Sequence, residues 1–320
     1  MRALRYSLRT LVRNPAFSAV IILLLAFGIG ANTLIFTAVD VLLLRDVPAD
    51  HPEQLVRLQD IHPNGFRTYQ PTFPVTYRAL LLDRAKSVED VFYSTGDEIS
   101  MEVGGRPQSV TFEAVSGNYY SALGVRPLIG RLLGPDDDRR GTSYPVVLSY
   151  AFWRRAFNGR RDVIGEKVRL REIPFTVVGV TPRGFNHLSV EGGPDIAIPN
   201  TAQYLWASGA NAVYDAQIFA RLRPGVSVAQ ASAEVETLYP GLIDATTPEF
   251  LSGTAIPEEQ KQEYLRSEKS LRVFFDPVSH GTSILLRKQF AVAVKVIMGA
   301  VGVLLLLVCA NIAGLMLARG

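Results

Sequence analysis

Two stretches of the chain carry no charge at all. Ala16 to Val39 runs for 24 positions and Val296 to Ala318 for 23. At about 1.5 Å per residue, either is long enough to cross a hydrocarbon core of about 30 Å. Between them the pattern turns to short alternations and helical spacings broken by Gly and Pro, as in a mixed globular region. Strand-like alternation covers Gln54–Gln59, Val91–Tyr93, Ile99–Val103, Gln108–Ser116, Val146–Ser149, Lys167–Leu170, Phe175–Val180, Asp195–Ile198, Gln217–Leu222 and Leu271–Asp276. Helical spacing covers Pro74–Lys86, Asn118–Leu123, Tyr150–Phe157, Ser227 to about Leu238, and Pro257–Glu268. Asn64-Gly65 and Pro224-Gly225 read as turns, and Gly104-Gly105 as a tight hairpin. Pro240–Ser270 is polar and reads as a solvated insertion. The expected class is α+β: a membrane protein with two transmembrane helices flanking a large extracytoplasmic domain, residues 45–290. The strand–helix–strand rhythm occurs twice, which predicts two related halves.

Charge fixes the expected orientation. The net charge is +3 and the pI about 9.0, but the excess is concentrated at the ends. Arg2, Arg5, Arg9 and Arg13 precede the first apolar run and Arg319 follows the second; without these five, 28 basic residues face 30 acidic. Positive residues stay on the cytoplasmic side, so both termini are expected inside and the middle outside, with no basic patch for nucleic acid. Leu4, Leu8 and Leu11 oppose the arginine stripe, the pattern of an interfacial helix over residues 1–13 that lies against membrane lipid. Spans are expected over 14–44 and 291–319. The sole cysteine, Cys309, lies in the second run. The outer region must therefore hold together by its core alone.

Motifs for chemistry are absent. There is no GxxxxGK[ST] phosphate loop, no HExxH and no G-x-S-x-G elbow. His51, His62, His187 and His280 are scattered. Asp136-Asp137-Asp138, followed by Arg139-Arg140, reads as a solvated, self-paired turn. No enzyme and no cofactor or metal is expected. Within the spans, Asn32 lies about 24 Å along the helix from Ala16 and Asn311 about 10 Å from Ala318. Each is expected to hydrogen-bond another helix. Ala26 with Gly30, and Ala310 with Gly314, are small-xxx-small pairs that admit close helix packing.

Several blocks together carry a resemblance. Leu25-Ala26-Phe27-Gly28-Ile29-Gly30-Ala31-Asn32-Thr33 resembles the first transmembrane helix of MacB/FtsX-type ABC transporter permeases, in particular the duplicated orphan permeases. His51-Pro52-Glu53-Gln54-Leu55-Val56-Arg57-Leu58 is similar to the start of their periplasmic core domain. In family order follow Val115 to Pro127 (VSGNYYSALGVRP), Gly130-Arg131, Val147 to Trp153 (VLSYAFW), Val163-Ile164-Gly165, Val177 to Val180, Arg223 to Ser227 and Cys309 to Ala313.

The resemblance implies a porter-like part over 54–115 and 217–276 and an inserted sabre-like part over 116–199. It implies a permease subunit without catalytic residues, driven by a cytoplasmic ABC ATPase that binds the ATP. Motion would pass outward by mechanotransmission to export or release a substrate, with a second permease copy or half as partner and a periplasmic adaptor as a further candidate. A family repeat has four membrane helices and this chain holds two, so it reads as an N-terminal portion. The alternative is a membrane-tethered periplasmic module that regulates a partner without transport. A secreted enzyme with a signal peptide is the third class considered.

Overall fold

The computed structural model describes residues 46–68, 70–139, 144–189, 192–206, 215–252 (backbone alone for 247–252) and 257–281, with scattered positions in 19–37 and 296–314. The chain divides into two units, residues 46–282 and residues 1–45 with 283–320. In the second of these, the described positions are helical. Ile22, Leu23, Ile29, Leu34, Val296, Leu306 and Leu307 each leave 59–73% of their surface exposed. Among the described residues no helix is long and apolar enough to cross a membrane; 15 of the 24 positions of the first apolar run and 10 of the 23 of the second lie outside those residues.

Alternating burial organises residues 46–282 into strands β1 (Leu55–Ile61), β2 (Phe73–Pro74), β3 (Val88–Val103), β4 (Arg106–Val115), β5 (Ile129–Gly130), β6 (Tyr144–Leu148), β7 (Lys167–Leu170), β8 (Ile173–Val180), β9 (Ile196–Pro199), β10 (Asp215–Leu222) and β11 (Arg272–Pro277). Helices α1 (Tyr77–Arg84), α2 (Tyr119–Ala122), α3 (Tyr150–Ala156), α4 (Val228–Ser252) and α5 (Glu258–Ser270) intervene. The strands join in one sheet in the order β11-β1-β10-β3-β4-β9-β6-β8-β5, with β2 on β10 and β7 bridging β3 and β8. β4–β9 and β6–β8 are parallel and the other pairs antiparallel.

Successive strand residues face opposite ways, and that parity builds the cores. Val56 and Leu58 of β1, Ile218 and Ala220 of β10, and Val273 and Phe275 of β11 face α1 and α4. There they meet Leu81, Ala231, Val235 and Tyr239 in the core at the β11 end of the strand order, the proximal core. A distal core gathers Ile99, Met101, Val146, Leu148, Phe152, Val163, Phe175 and Val177. A middle core lies on the opposite parity: Leu55, Phe92, Val115 and Phe219 pack with Tyr119, Tyr120, Phe185 and Leu188. Each fully buried Leu, Ile, Val or Phe contributes about 1.5–3 kcal/mol.

Two elements exceed the lengths that the sequence pattern predicts. The separate strands expected at Val91–Tyr93 and Ile99–Val103 are one 16-residue strand, β3. Its ladder with β4 runs unbroken through Gly96, opposite Glu113. β3 supplies Val91 to the proximal core, Phe92 to the middle one and Ile99 to the distal one. The helix expected to stop near Leu238 continues through Pro240 to Ser252. Pro240 removes one N–H and ordinarily ends or kinks a helix, but Leu242 and Ile243 beyond it are fully buried. Tertiary burial outweighs the local stop signal. The stretch after Pro240 is therefore part of the core up to Ile243, and its second helix, α5, has no buried residue.

Candidate functional site

The block Val115–Pro127 makes the turn at which β4 leaves the sheet. Ser116 and Tyr93 are doubly joined: Ser116 N donates to Tyr93 O at 3.0 Å, and Tyr93 N to Ser116 Oγ at 3.2 Å. Asn118 Nδ2 donates to Asp90 Oδ1 and to Val91 O. Gly117 N donates to Asp138 Oδ2 at 2.8 Å. A Cβ on Gly117 would lie 2.7 Å from Gly134 O and from Pro135 Cα, so only glycine fits. The three aspartates are more engaged than a solvated turn requires. Asp136 pairs with Arg139 in the open, but Asp137 binds Arg131 through both oxygens, at 2.6 and 2.9 Å, and Asp138 holds the Gly117 turn. Burial, first among its influences, raises the Asp138 pKa.

This turn delivers Tyr119 and Tyr120 into the middle core, where they meet a group that the sequence pattern does not pair. His187 Nδ1 stands 2.5 Å from Glu113 Oε2, with His187 2% and the Glu113 side chain 17% exposed. The imidazole packs against Phe185 (centroids 4.9 Å apart), Tyr119 (5.5 Å) and Tyr120 (5.8 Å). Burial works to raise the Glu113 pKa. The opposing charge and hydrogen bond of His187, with a hydrogen bond from Ser94, outweigh it and hold the carboxyl below its ordinary range. Burial and then the Glu113 charge push both tyrosine hydroxyls well up, so they stay protonated.

Glu113 also lines an open cleft of about 580 Å³ beside this core. Gln70, Thr72, Asp97, Glu98, Thr111, Ser189 and Gln217 supply polar walls, and Phe112, Leu188 and Phe219 supply apolar ones. The described lining holds three carboxylates and no Lys, Arg or His, which suits a polar, cation-bearing surface. A second cavity of about 240 Å³ separates α5 from the sheet, with Asp60, His62, Asp215, Tyr264 and Glu268 around it. Burial raises Asp215. Burial, followed by the Asp215 and Asp60 charges, raises Glu268 against a lowering hydrogen bond from Tyr239. No three of the described His, Cys, Asp and Glu form a group suited to a metal ion.

Ala26, Gly30, Ala310 and Gly314 are helical and exposed. Asn32, Asn311, Arg2, Arg5, Arg9, Arg13 and Arg319 lie outside the described residues, as do the expected interfacial helix and Thr282–Lys288. The Glu113–His187 pair joins positions 74 apart in the chain. Its only sequence signal is the aromatic cluster Tyr119-Tyr120 and Phe185 on either side.

Three cores strung along one mixed sheet, with the chain entering and leaving at neighbouring points, make up residues 46–282. The chain belongs to the MacB-like periplasmic core domain family, whose family model matches residues 18–238. Solved structures similar to it include a permease-protein domain from Porphyromonas gingivalis (18% identity, TM-score 0.47, covering 72% of this chain and 92% of that one). The periplasmic region of MacB from Actinobacillus actinomycetemcomitans gives 16% and 0.48, covering 63% and 94%. The extracellular domain of the noncanonical ABC-type transporter YknZ from Gram-positive bacteria gives 15% and 0.46, covering 60% and 94%. No curated protein matches the chain.

Proposed function

We propose that the chain is the transmembrane permease subunit of an ABC transporter of the mechanotransmission type, set in the bacterial inner membrane with residues 45–290 in the periplasm. A cytoplasmic ATPase binds and hydrolyses ATP. The permease, paired with a second copy or half, carries the resulting movement outward and changes the shape of the outer domain to export or release a substrate. Ala26, Gly30, Asn32, Ala310, Asn311 and Gly314 pack its membrane helices, and the terminal arginines hold its orientation. The porter-like part is 54–115 with 217–276, and the sabre-like part is 116–199.

One observation carries this reading: the match to the MacB-like periplasmic core domain starts inside the first apolar run and continues past β1–β10 to Leu238. Exposed helical Leu, Ile and Val in both runs support lipid contact. Copurification from membranes is the test, using a chain extended beyond Gly320. A bound cytoplasmic ATPase is expected; its absence, with the protein intact, would overturn the reading in favour of a tethered module. Protease added to right-side-out spheroplasts should clip residues 45–290 and spare both tails.

A further inference from the structure

Where the chain enters and leaves the 46–282 unit, its incoming and outgoing segments lie side by side. Asp46 Oδ1 stands 2.8 Å from His280 Nδ1. Val47 N donates to Ser279 O at 2.7 Å, and Val278 N to Leu55 O at 3.0 Å. Val47 and Val278 are buried in the middle core. One side chain on β10, inside the sheet, reaches the incoming segment. Arg221 Nη2 donates to Asp50 O at 2.6 Å and to Ala122 O at 2.7 Å. Its Nη1 donates to His51 O at 3.1 Å and to Gln54 Oε1 at 3.4 Å, and its Nε to Ala122 O at 3.2 Å. The clamp closes as Asp50 N donates to Leu123 O at 2.9 Å, just beyond α2.

These acceptors of the guanidinium are neutral carbonyls, so its role is geometric rather than charge neutralisation. A planar fork with five donors spans three backbone carbonyls from two segments at once, which an ammonium at a single point does not do. On its own strand, Arg221 is paired with Leu55 of β1 and Asp90 of β3. The incoming segment, the end of α2 and the central strands therefore meet at one residue.

We infer that Arg221 is the positioning residue that locks the incoming segment and α2 to the sheet, so that displacement of the chain ends reaches the Tyr119–Tyr120–His187 core. The inference rests on the permease reading, which supplies the displacement. Hydrogen exchange of the full chain in detergent tests the lock. Arg221→Ala and Arg221→Lys should each speed exchange at least tenfold in peptides covering 47–55 and 119–125, leaving those of β3 and β11 unchanged. Wild-type protection in either variant, or loss across the whole sheet, would overturn the lock. The second arm uses the extended chain with its copurified ATPase, with and without ATP. ATP should alter exchange over 215–222 in the wild type, and Arg221→Ala should confine the change to 46–54. A variant that responds like the wild type overturns the transmission role. A wild type silent to ATP instead sinks the permease reading, and the transmission role with it, while the lock is judged by the first arm alone.

Discussion

Single positions at the junction carry unequal weight, and the reasons are local. Gly117 has no room for a methyl group, and forcing one in displaces the 134–138 turn. Gly117→Ala should cost about 1–3 kcal/mol, read as a lower urea midpoint. Trp153 and Trp206 both adjoin the distal core, and their fluorescence provides the signal. Glu113 sets a pH dependence. Its folded pKa lies below the ordinary carboxylate value, so its contribution is present above the unfolded pKa and lost as pH falls through the folded one. Stability should decline on the acid side, below about pH 4.5. Glu113→Gln should remove that part of the slope and cost about 1–3 kcal/mol, since it takes the carboxylate from beside a buried polar ring. Equal acid slopes in the two proteins would refute the assignment. The backbone at Gly104-Gly105 was legible from two residues. His187 was not, because a histidine between Asn186 and Leu188 shows nothing of a carboxylate 74 positions away.

At the scale of elements, α4 is the informative case. Ser227 and Gln230 form the reciprocal start that its sequence announces: Gln230 N donates to Ser227 Oγ and Ser227 N to Gln230 Oε1. Its end was illegible, because Pro240-Gly241 is a strong local stop and the burial that overrules it comes from distant strands. Leu242→Ala should therefore cost about 2–5 kcal/mol, against within about 0.5 kcal/mol for a residue in a solvated insertion. Denaturation midpoints decide between these values. α5 behaves in the opposite sense. Asp215 and Glu268 have folded pKa values above their unfolded ones, so their contribution is full at low pH and lost as pH rises through the folded value. Glu268→Gln should stabilise the protein at neutral pH and change little below the ordinary carboxylate range; equal effects at both pH values would contradict the cavity electrostatics. β7, read as Lys167–Leu170, has those limits in the fold. Its flanks are ordinary turns, and four alternating residues suffice.

The whole molecule shows why local pattern recovered most strands but not their arrangement. β1 lies between β10 and β11, partners with which it has no contiguous sequence signal. β3 serves all three cores, and a strand shared in this way couples them. Urea unfolding followed by tryptophan fluorescence, which reports the distal core, should coincide with far-ultraviolet circular dichroism, which reports the whole sheet. Separate midpoints would show that the cores melt independently. The position of β1 also bears on biogenesis. When ribosomes have made β1 through β9, the distal core already holds its strands, but β1 has neither neighbour, since both come from residues 215–277. Throughout that interval the nascent polypeptide exposes an unpaired hydrophobic ribbon to the compartment in which it folds. Its safe maturation then depends on the late arrival of β10, or on a chaperone that shelters Leu55–Ile61 until that strand emerges.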